Sequence, residues 1–103
     1  MNYQLVLQFR SDSFDDFDAM VALEGELIEA LSDAAKVDGH DVGSGETNIF
    51  ILTSDPEATF SLAKPVFGRT KHLPAVTAAY READGNRYTV IWPKGSHEKF
   101  TVA

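Results

Sequence analysis

The chain has 103 residues, 44% of them hydrophobic, no cysteine and a formal net charge of −7, a composition that specifies one domain able to bury a core without disulfides or metal. Lack of cysteine removes disulfide frameworks, thiolate zinc sites and cysteine nucleophiles together, and the acidic balance argues against nucleic acid, whose phosphates call for clustered Lys and Arg. The amino-terminal residues lack the basic and long apolar regions of a signal peptide, and no apolar run nears the roughly 20 residues of a membrane span, so a cytoplasmic protein that stays off membranes is expected.

The charge is unevenly placed. Asp12, Asp15, Asp16, Asp18, Glu24, Glu26, Glu29 and Asp33 face one base, Arg10, before Lys36, while acids and bases balance from Lys36 onward. A one-signed patch attracts partners of the opposite sign whatever fold lies beneath it.

Tyr3, Leu5, Leu7 and Phe9 alternate with polar or smaller residues, the period of a half-buried strand. Ser13 and Asp16 form a capping-box-like start, and Phe17, Met20, Val21, Leu27, Ile28, Leu31 and Ala35 follow at helical spacing, predicting an amphipathic helix over about 14–35. Gly25 inside it suggests close packing against a neighbour. Residues 37–53 read as a hairpin turning at Gly43-Ser44-Gly45, with 47–52 as a central strand. Asp55-Pro56-Glu57 supplies an N-cap, a first-turn proline and a first-turn acid for a second helix. Phe60, Ala63, Val66 and Phe67 continue its stripe, and Pro65 is expected to kink it or end it early. Residues 75–82 and 87–92 flank the turn Ala83-Asp84-Gly85-Asn86, and 93–103 read as a loose polar tail.

The order βαββαββ resembles the ferredoxin-like plait, an α+β fold of two layers with both helices on one face of an antiparallel sheet. That resemblance covers nearly the whole chain and constrains function weakly, because the plait hosts sensors, electron carriers, RNA binders and small enzymes. The segment from Asp38 to Ile51, followed by Asp55-Pro56, also resembles small bacterial proteins that carry no assigned activity, and it transfers no catalytic residue. Acylphosphatases share the plait and use an arginine after the first strand and an asparagine on a central strand, as Arg10 and Asn48 would be. The loop Ser11-Asp12-Ser13 lacks the glycines and basic cradle that such chemistry needs.

With a three-residue turn, His40 faces Asn48 across the hairpin, and Gln8, His40, Glu46 and Asn48 gather on the open face of the sheet as a candidate ligand site. With a two-residue turn, Asp41 pairs with Asn48 instead. No tight ligand spacing points to a metal, and no cofactor motif is present. His72 and His97 lie in connecting segments, and no serine sits in a nucleophile elbow. Val6, Phe50, Leu52 and one row of the last hairpin, Tyr80 with Trp92 or Ala79 with Ile91, leave that face apolar. A second copy could cover it as a homodimer through the sheet, or the tail could fold over it. The sequence therefore predicts a non-enzymatic interaction or regulatory module. Asp15, Asp16, Glu26 and Glu29 would dock a basic protein partner, as an antitoxin or immunity protein covers a basic toxin. The alternative is a small-molecule sensor or small enzyme working at the open face.

Overall fold

In the computed structural model, which describes residues 2–10, 17–43, 45–68, 76–95 and 100–102, the alternating amino-terminal segment forms β1 (Tyr3–Arg10). Leu5, Leu7 and Phe9 point into the core. The first helix, α1 (Phe17–Leu31), buries Leu23, Leu27 and Leu31 against the sheet. Its expected start near residue 14, with the Ser13 capping box, lies outside the described residues. The helix stops four residues sooner than the apolar spacing implied. Ser32 enters the left-handed region at φ 47°, one 3-10 turn (Ser32–Ala34) follows, and Ala35 is already extended at φ −160° and ψ 163°. Ala35 is buried as the first residue of β2 (Ala35–Gly43) rather than as the end of a helix.

β2 pairs antiparallel with β3 (Glu46–Thr53), and Gly43 opposite Glu46 leaves two residues for the turn. Gly45 at φ 78° supplies the positive φ that such tight hairpins require. The pairing also slips between Val37 and Gly39, a bulge in which Gly39 takes φ 129°. α2 (Pro56–Gly68) opens as its sequence specifies, with Asp55 Oδ1 accepting the Ala58 N–H at 3.1 Å. Thr53 Oγ1 accepts the Asp55 N–H at 3.0 Å and meets Thr59 Oγ1 at 2.6 Å, tying strand to helix. Pro65 does not end α2, which runs on to Gly68. An interior proline costs about 3 kcal/mol, whereas burying one Val or Phe side chain returns about 1.5–3 kcal/mol. Val66 and Phe67, both fully buried beyond the proline, offset it.

β4 (Thr77–Glu82) and β5 (Thr89–Trp92) complete a five-stranded antiparallel sheet in the order β2-β3-β1-β4-β5. The result is an α+β fold, compatible with a ferredoxin-like plait that β5 extends past β4. The last hairpin turns more widely than a four-residue loop. Arg81 Nη1 donates to the carbonyl oxygens of Glu82, Ala83 and Gly85 at 2.9, 2.8 and 2.9 Å, so one guanidinium holds the loop closed. A second slip pairs Ala78 with Trp92 and Ala79 with Val90. Tyr80 and Trp92 accordingly pack against the core beneath the helices, and Ala79 with Val90 faces the open side, unlike either expected pairing.

Candidate functional site

The register decides which predicted residues meet. Gln8 lies opposite Asn48 across β1 and β3, and its Nε2 donates to Asn48 Oδ1 at 3.0 Å and to the Thr101 carbonyl at 2.9 Å. Phe100 packs against Tyr88, the rings tilted and their centroids 5.0 Å apart. These two contacts lay residues 100–102 on the open face, where Val6 and Ala79 are fully buried and Asn48 is only 2% exposed. Of the two covers expected for this face, a second copy or the tail, the structure lays residues 100–102 of the tail against it. Gln8→Ala is expected to destabilise the fold by about 1–3 kcal/mol, because a buried amide oxygen loses its donor. Urea denaturation measures this, and an unchanged midpoint would mean that Gln8 does not hold the tail.

His40 does not join that pair. It sits opposite Ile49 on the helical side of the sheet, and Asp41 pairs with Asn48. A one-residue change of register sends a side chain to the other face, and here the two-residue turn makes that change. His40 Nδ1 instead lies 3.1 Å from Glu24 Oε2, fastening α1 to the edge strand β2. Glu46 is on the open face, opposite Arg10 at the end of the strands. Of the four predicted ligand residues, Gln8 and Asn48 share a hydrogen bond, Glu46 lies on the same face and His40 lies on the other.

The acidic helix is built differently from an ordinary solvated face. Between Phe17 and Leu31 it carries no base, and Asp18, Glu26 and Glu29 are exposed, with Asp33 just beyond. Asp15 and Asp16 lie outside the described residues. Glu26 and Glu29 are helix neighbours of like charge at a spacing of three, unfavourable by about 0.2–0.5 kcal/mol, and Asp33 follows in the 3-10 turn past the helix end. Glu29 also sits in the last turn, at the negative end of the helix dipole. This row does not stabilise the monomer.

Beside it, Val21 and Ile28 remain 42% and 54% exposed. They flank Gly25 at spacings of four and three, forming one apolar stripe with a notch at its centre. Gly25 was expected to mark close packing, yet a Cβ built there meets nothing within 4 Å. Ile28 borders a shallow cleft of about 370 Å³ shared with Asp33, Lys36 and Val37. Gly25→Ala is expected to raise monomer stability by about 1 kcal/mol, the helix-propensity difference, with no steric penalty to offset it. Thermal unfolding reads this directly, and a destabilised variant would mean that the notch is occupied in the folded chain.

A larger cleft of about 720 Å³ lies at the start of α2, bordered by Tyr3 and Tyr80 edge to face at 5.7 Å. Asp55, Glu57 and Glu82 line it with Arg87 and with Arg81, whose guanidinium clamps the turn, so acids and bases share the cleft. Among the described residues no three acidic or histidine side chains gather closely enough to hold a metal ion, and no helix is long and apolar enough to cross a membrane. No protein-family model, curated protein or solved structure matches the chain.

Proposed function

We propose that the chain is a non-catalytic interaction module whose working surface is the outer side of α1 and whose partner is a basic protein. The observation that carries this reading is the exposed stripe Val21, Gly25 and Ile28, bordered by Asp18, Glu26, Glu29 and Asp33 with no base on the helix. Acids around an apolar strip combine long-range attraction with a short-range contact that excludes water. The like-charge pair Glu26 and Glu29 works against the folded chain, and a basic partner would reverse the sign of that contribution on binding. An antitoxin or immunity protein that caps a basic toxin is the specific form of this proposal. The test is capture of partners by the wild-type chain and by a variant with the α1 acids neutralised, each held at low and at high salt.

A further inference from the structure

A second site lies at the opposite edge of the sheet from β2. β5 extends the sheet to this edge, and the flank of α2 and the end of β5 enclose a groove of about 430 Å³, within the range of small-ligand sites. Its floor is aromatic. Trp92 lies against Phe60 with ring centroids 5.8 Å apart, and Ile91 continues the apolar surface. Its rim is charged, with Lys64 on α2 and Lys94 just past β5, and with Glu57 at one end. The Ser61 hydroxyl is engaged with the Glu57 carbonyl at 3.1 Å. Lys64 Nζ rests 4.1 Å from the centre of the Trp92 ring.

We propose that this groove binds a small planar aromatic carboxylate, independently of the docking surface on α1. The indole face offers a platform for a stacked ring. Lys64, parked on that face as a cation–π partner, is within reach of any oxyanion the ring carries, and Lys94 faces it from the other rim. A lysine ammonium is a point charge that accepts any oxyanion geometry. Among the described residues, two lysines against Glu57 leave one net positive charge, which matches a carboxylate better than a doubly charged phosphate ester. Binding replaces one use of the indole face with another: the ligand ring takes the face, and the displaced ammonium pairs with the carboxylate.

Trp92 is the only tryptophan of the chain, so its single indole N–H peak in proton–nitrogen correlation spectra reports this groove alone. Benzoate is the probe and benzyl alcohol its uncharged counterpart. The expected result is a saturable benzoate shift of the Trp92 peak, with benzyl alcohol at least about tenfold weaker, equivalent to about 1.4 kcal/mol. Lys64→Gln combined with Lys94→Gln should erase that preference, while Lys36→Gln, at the far edge, should preserve it. No saturable shift with benzoate, equal binding of the alcohol, or a preference that survives the double substitution would each overturn the proposal. None of these results bears on partner capture by α1.

Discussion

Replacing Phe67 by alanine is expected to destabilise the fold by about 3–5 kcal/mol, the range for deleting a buried aromatic ring. Phe67 is fully buried, set edge-on to Phe9 of β1 at 5.7 Å and beside Phe60 at 6.4 Å. Two effects add in this variant. The ring leaves a cavity between helix and sheet, and the last turn of α2 loses the anchor that carries it past Pro65. A domain of this size has roughly 5–15 kcal/mol in total, so the urea midpoint should fall by a large fraction. Trp92 is linked to the site through Phe60 and gives the fluorescence signal for the transition. Leu62, on the same helix but 46% exposed, is the control, and its replacement by alanine should change stability by no more than about 0.5 kcal/mol. Equal effects at the two positions would contradict the packing described here.

Neutralising α1 and the turn after it with Asp18→Asn, Glu26→Gln, Glu29→Gln and Asp33→Asn is expected to slow association with a basic partner about 10- to 1,000-fold at low salt. Four acids removed take the net charge from −7 to −3, and the dependence of the association rate on ionic strength should flatten accordingly. Dissociation should change less, because Val21 and Ile28 remain to make the short-range contact. The same variant should fold about as stably as the wild type, since relief of the Glu26–Glu29 repulsion is offset by loss of the Asp18 charge from the first turn of the helix. A loss of binding without a loss of stability separates a docking role from a structural one, and stopped-flow association with thermal unfolding measures both.

The sequence was most informative where local chemistry and burial agree. The alternation in β1 and the Asp55-Pro56 start of α2 needed no tertiary information, because the strand period and the N-cap act within a few residues. The site was less legible. His40 reached the wrong face on paper because its placement depended on a turn one residue shorter than Gly43-Ser44-Gly45 suggested. Ala35 kept helical spacing yet belongs to β2, since Ser32 adopts a left-handed φ of 47° that no propensity favours for serine. Nothing in the local sequence singles out Arg81, although its three carbonyl partners lie in the next few residues. Lys64 and Trp92 meet only through the tertiary fold, so nothing in either local segment announces their groove. The acid excess before Lys36 was plain from the start. Its setting beside an exposed apolar stripe required knowing which side of α1 the core takes.

The measurement that bears most directly on α1 as the working surface is parallel capture from a lysate of the source organism. Wild type, the four-acid variant and the Lys64→Gln, Lys94→Gln variant serve as baits, and eluates are identified by mass spectrometry. The prediction is a basic protein retained in near-equimolar amount by wild type and by the lysine variant, released at high salt and absent from the four-acid variant. The same protein held equally by the four-acid variant, or no protein held by wild type at low salt, would contradict it.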